Sequence, residues 1–257
     1  SEAIFQQYLP RFAGDAVPTK PVQIAVSLAE KFITLVGIFG INQLPKGDKD
    51  PFGLRRAAIG IVRIILENSI DVVEKACTIL ADKLLSKETK DNVISYIFNR
   101  LKAFYQDQGI EGNIFLAVLS TKPSDLLDFD RRVKAVKAFK EIPASENLAS
   151  AYKRINNILS KSDITETSVN QSLLSDQYEI KLYEIIQKIT PVINKYYDEA
   201  NYAEALAKLA ELKDPVDQFF EHVMVNSDDA AIKTNRIALL RNLHLIIGQT
   251  ADISVLY

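Results

Sequence analysis

Few side chains in this sequence could do chemistry, and their spacing does not favour catalysis. His222 and His244 are the only histidines and Cys77 is the only cysteine, so the sequence has no zinc-ligand spacing and no HExxH motif. It also lacks a GxxxxGK[ST] loop and a GxGxxG turn, and no serine or cysteine has a distinctive neighbouring base. We therefore expect no catalytic residue, no metal site and no bound cofactor in this chain, and we interpret both histidines as helix residues at the edge of the core.

Cationic side chains on predicted helices are the remaining candidates for function. Between residues 129 and 140, four apolar residues recur on one helical face, and the opposite face carries a row of cations, namely Arg131, Lys134 and Lys137. Lys153 and Arg154 lie on the outer face of another predicted helix. Such groups are as typical of a solvated face as of a surface that contacts phosphates, and both interpretations stay open.

The last predicted helix begins after an Asp229 cap and carries four polar side chains of interest: Lys233, Asn235, Arg236 and Arg241. Arg236 lies on the apolar stripe, where an unpaired charge would be strongly destabilising. We therefore predict an ion pair between Arg236 and an acid such as Asp217 or Asp229, and a recognition role is the alternative. Lys233 and Arg241 are predicted to be free to meet a ligand.

A pair of arginines and a set of small residues occur together earlier in the chain. Two adjacent guanidinium groups cannot both enter a core, so we expect at least one of Arg55 and Arg56 to be a surface ligand for a carboxylate or a phosphate. The small residues around them are spaced i, i+4 and i+7, and they are Gly53, Ala57 and Gly60. This spacing predicts a ridge that admits another helix closely, with Gly37 and Gly40 on the partner helix.

The elements that position these residues are predicted to be helices throughout. No glycine occurs from residue 113 to 247, and the apolar residues of this run recur at spacings of three and four. Strand and hairpin signals are weak. With 47% hydrophobic and 25% charged residues and a formal charge of -2, the chain has a globular composition and no general attraction to nucleic acid. We predict an all-α helical bundle, in which any RNA contact is a local patch.

Caps and breakers place the helix boundaries. We predict one helix that begins at Pro21 and ends before Pro45, and another over residues 51–67, capped by Asp50 with Pro51 at its first position. The later helices are predicted at 71–85, 88–107, 110–119, 124–142, 145–160, 176–199, 201–212, 215–224 and 228–247. The polar stretch 160–168 is predicted to be a surface loop.

The expected compartment is inferred from the length of the apolar runs, the cysteine content and the start of the chain. The apolar run 32–41 is about half the length of a membrane-spanning helix, so no membrane partner is expected. A single cysteine and the absence of a secretory signal favour the cytoplasm. Because the chain begins with Ser1 rather than methionine, we expect it to be a piece of a longer polypeptide.

A family resemblance is carried by short segments that follow one another in the same order along the chain. They are Tyr8–Asp15, Leu35–Gly40, Lys49–Phe52, Leu54–Ala57, Tyr105–Asp107, Phe129–Asp130, Arg132–Val136, Lys153–Arg154, Asn157–Leu159, Val223–Val225, Asn235–Arg236 and Ala251–Ser254. In these segments the chain resembles the beta subunit of the bacterial two-subunit glycyl-tRNA synthetase. The resemblance covers essentially the whole chain and implies a C-terminal fragment of that subunit.

The resemblance implies a non-catalytic, tRNA-handling part of a ligase. Residues 1–85 would form the end of an HD-like helical region, and residues 86–257 a helical linker followed by a DALR-type anticodon-binding domain. Glycine tRNA and the alpha subunit of an α2β2 holoenzyme would be the partners, and ATP and Mg would be used by the alpha subunit. The motif that names the domain is represented here by Asp229, Ala231, Ile232 and Lys233, so bidentate arginine contact is lost at Lys233.

The resemblance thus implies RNA-binding roles for the cations and for Asn235. On the anticodon side these are Lys153, Arg154, Lys233, Asn235, Arg236 and Arg241; further candidates are Arg131, Lys134, Lys137, Arg55 and Arg56. The alternative is a helical scaffold or subunit-docking module with no direct anticodon contact. An HD-type phosphohydrolase is disfavoured, because Gln7 stands where that region of the family usually has histidine, and Glu30 and Ile33 stand where it often has aspartates.

Overall fold

The computed structural model describes residues 2–12, 14–45, 49–70, 72–84, 87–123 and 125–257. Within these ranges the chain forms twelve α-helices and two short 3₁₀ turns, and no β-strand. The all-α fold predicted from the apolar spacing is confirmed. The helices divide between two compact units: unit 1 comprises Ser1–Glu111 and Ser124–Asp130, and unit 2 comprises Gly112–Pro123 and Arg131–Tyr257. The domain boundary expected at residue 85 stays a prediction.

Unit 1 is built around two long helices that bury branched and aromatic side chains. Its helices are α1 (Glu2–Gln6), α2 (Pro21–Gly40), α3 (Leu54–Asn68), α4 (Val73–Leu84) and α5 (Lys87–Asp107). Helix α2 packs against α3, α4 and α5. Phe32, Leu35 and Ile61 are among the core side chains that are almost completely buried. Transfer of these side chains from water is the main stabilising contribution to the unit.

Helix α2 is, by length and composition alone, long and apolar enough to cross a membrane. It extends beyond the run 32–41 that the sequence pattern singled out, because Val22, Ile24 and Leu28 continue the apolar composition toward its start. Leu28 and Phe39 are buried within unit 1, and Lys31 is buried beside them. In the described structure these side chains pack inside unit 1.

The start of α3 differs from the prediction. The helix begins at Leu54 rather than at residue 51, because residues 51–53 form a turn between the capping residue, Asp50, and the helix. The Asp50 carboxylate accepts hydrogen bonds from the backbone N–H groups of Leu54 and Arg55, both at 2.9 Å. Gly53 within the turn has φ +67°, a conformation that glycine adopts without strain. Asp50 therefore caps the helix as predicted, but from further away.

The small-residue ridge of α3 is covered by a side chain rather than by a second row of glycines. A Cβ atom at Gly60 would lie 2.8 Å from Cε of Lys31, whereas a Cβ atom at Gly37 would meet nothing within 4 Å. The predicted apposition of Gly37 with this ridge was therefore wrong. The missing side chain at Gly60 makes room for a buried lysine.

Unit 2 contains the remaining helices. They are α6 (Gly112–Leu119), most of α7 (Leu126–Lys140), α8 (Ser145–Leu159), α9 (Gln177–Asp198), α10 (Tyr202–Ala210), α11 (Lys213–His222) and α12 (Ala230–Gly248). The 3₁₀ turns are Gln171–Leu173 and Ile253–Val255. Helix α12 packs against α8 and α9, and its side chains from Ile237 to Leu240 are all buried. This burial makes α12 the central helix of the unit.

The helix predictions from residue 71 onward agree with the structure to within two residues at each described end, and the predicted bounds 71, 85 and 124 lie outside the described residues. Residues 160–168 contain no helix, as predicted for a polar loop. Helix α1 was not predicted. It is only one turn long, and none of its residues is buried, so its sequence lacks the periodic apolar stripe that a prediction needs.

Candidate nucleic-acid interface

The start of α12 is set by a cap that places Lys233 in the first turns of the helix. The Asp229 carboxylate accepts hydrogen bonds from the backbone N–H groups of Ala231 at 2.8 Å and Ile232 at 3.2 Å. Lys233 follows directly and is half-buried, and its ammonium group makes no hydrogen bond or ion pair with a residue that the structure describes. The aspartate and the lysine of the motif therefore have separate roles, since one holds the helix and the other is available to a ligand.

Lys233 lies in an open cleft of about 500 Å³ within unit 2. The cleft is bounded by the end of α8, the loop after it, the segment before α12 and the first turns of α12. Its polar and charged lining residues are Arg154, Asn157, Lys161, Ser162, Asp163, Asn226 and Lys233. We call this feature the unit 2 cleft. Three cations and one carboxylate line it, so the net charge of its lining is positive although the whole chain is slightly acidic.

Arg154 is held in the unit 2 cleft by an aromatic ring from another helix. Its guanidinium carbon lies 4.2 Å from the centre of the Phe220 ring of α11. A guanidinium plane stacked on an aromatic ring keeps its N–H donors and its outer face accessible to a ligand. Arg154 is exposed, so this arrangement orients the side chain without removing it from solvent.

The loop after α8 is held in place by polar side chains of α12. Asn235 is buried, and its amide accepts a hydrogen bond from the Asn170 N–H at 2.7 Å and donates to the Asn170 carbonyl at 3.0 Å. Asn242 donates to the Thr167 carbonyl at 2.8 Å, and Arg241 donates to the Ile164 carbonyl. The expectation that Arg241 is free was therefore wrong. These side chains fix the loop that carries Lys161 and Asp163 into the cleft.

Arg236 forms the ion pair that its position on the apolar stripe predicts, but with a different partner. Its guanidinium Nε donates to the carboxylate of Glu179 at the start of α9, and its Nη1 donates to the Met224 carbonyl at 2.7 Å. The expected partners, Asp217 and Asp229, were wrong. Only 13% of the Arg236 side chain is exposed, so its main contacts lie inside unit 2.

The other predicted cations do not line the unit 2 cleft. Lys153 is exposed on α8, one residue before Arg154. The α7 row is also exposed, as its spacing predicted, and comprises Arg131, Lys134 and Lys137. Arg55 and Arg56 belong to unit 1, where Arg55 is half-buried near the Tyr96 hydroxyl and Arg56 is exposed. The prediction of one surface arginine in this pair agrees with the structure.

Both histidines stack on tyrosines. The ring of His222 lies 4.1 Å from that of Tyr178, and the ring of His244 lies 5.2 Å from that of Tyr152, both nearly parallel. Burial lowers the pKa of His244. Among the described residues, no group of three or more histidine, cysteine or acidic side chains is placed to hold a metal ion.

Sequence reasoning missed several cleft residues. Asn226 of the cleft and Phe220, the ring that contacts Arg154, come from segments distant from Arg154 in sequence, and nothing in their local pattern links them to it. Lys161 lies in a stretch that was recognised only as a polar loop. Lys161 lies two residues after the end of α8 and four residues after Asn157, and this proximity in sequence is the one local signal that could have grouped it with Arg154.

Comparison with known proteins assigns a family to both parts of the chain. Residues 1–120 match the family described as glycyl-tRNA synthetase beta subunit, and residues 148–253 match the DALR anticodon binding domain. The glycine–tRNA ligase beta subunit of Pseudoalteromonas translucida is 49% identical over 98% of this chain, and that of Aeromonas hydrophila is 48% identical over 99%. The chain spans 37% and 38% of the lengths of these two relatives. The chain therefore belongs to the glycyl-tRNA synthetase beta subunit family and carries a DALR anticodon binding domain.

Proposed function

We propose that this chain is the anticodon-side, tRNA-binding part of a glycyl-tRNA synthetase beta subunit, and that its unit 2 cleft accepts unpaired bases from the anticodon loop of glycine tRNA. The observation that carries the proposal is the convergence of Arg154, Lys161 and Lys233 in one open cleft that also contains two asparagines. The cleft lies within the matched DALR anticodon binding domain, residues 148–253.

The chemistry of the cleft suits a single-stranded RNA loop. Unpaired bases expose their edges and faces, and proteins read them with amide groups and with aromatic or guanidinium planes. Asn157 and Asn226 offer amide donors and acceptors, and Arg154 offers a planar group already stacked on Phe220. Lys161 and Lys233 are placed to neutralise the adjacent phosphates, which fixes the loop without specifying its sequence.

The wider role follows from the family. In this proposal the chain binds glycine tRNA in the cytoplasm and so supports the ATP-dependent attachment of glycine, while an alpha subunit, with ATP and Mg, performs the chemistry. The exposed cations of the α7 row and Lys153 would contact phosphates outside the cleft.

The test is a salt titration of tRNA binding. The chain is titrated with glycine tRNA and with a non-cognate tRNA over a range of salt concentrations, and the slope of log affinity against log salt is measured. Lys233→Ala should weaken binding of both RNAs and reduce the slope by about one, because one phosphate contact is lost. Arg154→Ala should instead reduce the preference for glycine tRNA. Lys233→Arg keeps the charge and should retain the slope.

Lys195→Ala is the matched control. Lys195 is an exposed lysine of unit 2, 3.9 Å from Glu199, that does not line the cleft. Its replacement should leave the slope unchanged. Equal and feeble binding of both tRNAs, or equal effects of Lys195→Ala and Lys233→Ala, would contradict the proposal and favour the scaffold or subunit-docking alternative.

A further inference from the structure

A second pocket, in unit 1, has features that the proposed anticodon role does not use. It has a volume of about 240 Å³ and is bounded by α2, the start of α3 and the segment before Arg11. Its lining residues include three cations and two aromatic rings, and they are Tyr8, Arg11, Lys31, Phe52 and Arg56, with Glu30 as the one acid. We call it the unit 1 pocket.

Arg56 is the available cation of this pocket. It is exposed, and it forms no hydrogen bond or ion pair with a residue that the structure describes. It lies in the first turn of α3, close to Gly53, where an added Cβ atom would be 3.4 Å from its Nη2. Leu54 and Arg55, its neighbours, already give their N–H groups to Asp50, so the backbone around Arg56 is held while its guanidinium group is not.

Arg11 is held in position by an aspartate. Its Nε and its backbone N–H both donate to Oδ2 of Asp15 at 2.9 Å, and its Nη2 lies 3.5 Å from Oδ1. The Asp15 carboxylate is 9% exposed, so the clamp is largely covered on the acid side. Nη1 of Arg11 has no partner among the described residues and is left for a ligand.

Lys31 places a fixed positive charge in the lining. The residue is only 4% exposed, and its ammonium group donates to the Gln7 carbonyl at 3.1 Å and to the Ser27 hydroxyl at 2.9 Å. Its Nζ lies 3.6 Å from Glu30, which is partly exposed, so the two charges offset each other only in part. Burial lowers the pKa of Lys31, while Glu30 opposes that shift. A charge held in such surroundings acts over a longer distance than one in water.

We propose that the unit 1 pocket binds a phosphate group, with the guanidinium groups of Arg56 and Arg11 as its hydrogen-bond donors and Lys31 as a fixed charge behind them. Guanidinium groups match phosphate oxygens in geometry and charge, and such charge-assisted bonds are stronger than neutral ones. Tyr8 and Phe52 flank the pocket and are both exposed, so they suit the sugar or base attached to that phosphate. The phosphate can belong to an RNA backbone or to a free phosphate ester.

The test follows the side-chain Nε–Hε NMR signals of the arginines while the chain is titrated with inorganic phosphate and, separately, with uridine 5′-monophosphate. We expect the signals of Arg56 and Arg11 to shift with one common dissociation constant. Arg56→Gln should raise that constant about tenfold, since a charge-assisted pair of bonds is lost. Lys195→Gln, which removes an exposed cation of unit 2 that lines neither proposed site, is the control and should not change it.

A second arm distinguishes the source of the phosphate. If Arg56→Gln also weakens binding of a single-stranded RNA and reduces its salt slope by about one, the site holds an RNA phosphate. If RNA binding is unchanged while phosphate binding is weakened, the site holds a free phosphate ester. The proposal is overturned if inorganic phosphate shifts neither arginine signal, or if Lys195→Gln has the same effect as Arg56→Gln. Lys233→Ala tests the unit 2 cleft separately, so failure of one proposal leaves the other intact.

Discussion

The guanidinium group of Arg236 and the carboxylate of Glu179 form an ion pair inside unit 2 across 57 residues of sequence. Glu179 is 1% exposed, and its other oxygen accepts hydrogen bonds from the backbone N–H groups of Ser175 and Asp176, both at 3.1 Å. One carboxylate therefore closes the capping box of α9 and ties α12 to it. Among the described residues, Arg236 is the cation that forms an ion pair with this carboxylate.

Replacing Arg236 with alanine should destabilise the chain strongly. The change leaves the Glu179 carboxylate buried without its cation, and breaking such a pair from one side costs about 3–5 kcal/mol. Urea unfolding followed by circular dichroism measures the loss. Lys153→Ala, an exposed change on α8, should alter the free energy of unfolding by less than about 0.5 kcal/mol and is the control. Unchanged unfolding of the Arg236 variant, together with weaker tRNA binding, would instead give Arg236 a recognition role.

Two glycines of unit 1 should respond to alanine in opposite directions. At Gly60 the new methyl group would lie 2.8 Å from Cε of the buried Lys31, so Gly60→Ala should destabilise unit 1 by about 1–3 kcal/mol. At Gly37, which is exposed in α2 with nothing within 4 Å, alanine should stabilise by about 0.5–1 kcal/mol. Thermal unfolding of both variants is the measurement. Similar shifts in the same direction would show that Lys31 does not fill the space above Gly60.

A third glycine, at the end of α12, lies directly beside a tyrosine hydroxyl group. A Cβ atom at Gly248 would lie 2.5 Å from the Tyr152 hydroxyl oxygen but 3.6 Å from the ring carbon that bears it. Gly248→Ala should therefore cost about 1–3 kcal/mol alone and much less in a Tyr152→Phe background. The Tyr152 hydroxyl makes no hydrogen bond with a described residue, so Tyr152→Phe should be nearly neutral. Additive effects in the double-mutant cycle would contradict the contact.

Low pH should destabilise unit 1 because it protonates the Asp15 carboxylate. Hydrogen bonds from the Arg11 side chain and backbone lower the pKa of this carboxyl from about 3.8 to about 2. A lowered pKa in the folded state stabilises the protein above the unfolded pKa, and that contribution is lost as the pH falls from about 4 to about 2. Unfolding midpoints of the wild type and Asp15→Asn should differ at pH 6 and converge toward pH 2. A constant difference across this range would contradict the Arg11 clamp.

The helices were predictable because their signal is local. Apolar spacing and caps such as Asp229 act within one or two turns, so boundaries in the second half of the chain were accurate. Asp50 was recognised as a cap, but the turn through Gly53 that separates it from α3 depends on a backbone conformation that the pattern does not specify. Local signals therefore locate helices better than they locate their first residues.

The site was predictable only in part because its contacts are long-range. The position of Arg236 on an apolar stripe correctly required a partner, yet the partner lies on α9 and no periodicity connects the two. Arg154 was identified as a surface cation, whereas its ring partner Phe220 comes from α11. Asn235 and Arg241 were grouped with the RNA-facing residues, although in the structure they bind backbone groups of the loop after α8.

Each of the two units is made of two separate stretches of the chain. Unit 2 begins at Gly112, the chain returns to unit 1 for Ser124–Asp130, and α7 then continues into unit 2. No single cut of the polypeptide can therefore leave both units complete. A truncation near residue 111 would deprive unit 1 of Ser124–Asp130, and one near residue 131 would deprive unit 2 of Gly112–Pro123, so a full set of residues for both units requires the uncut chain.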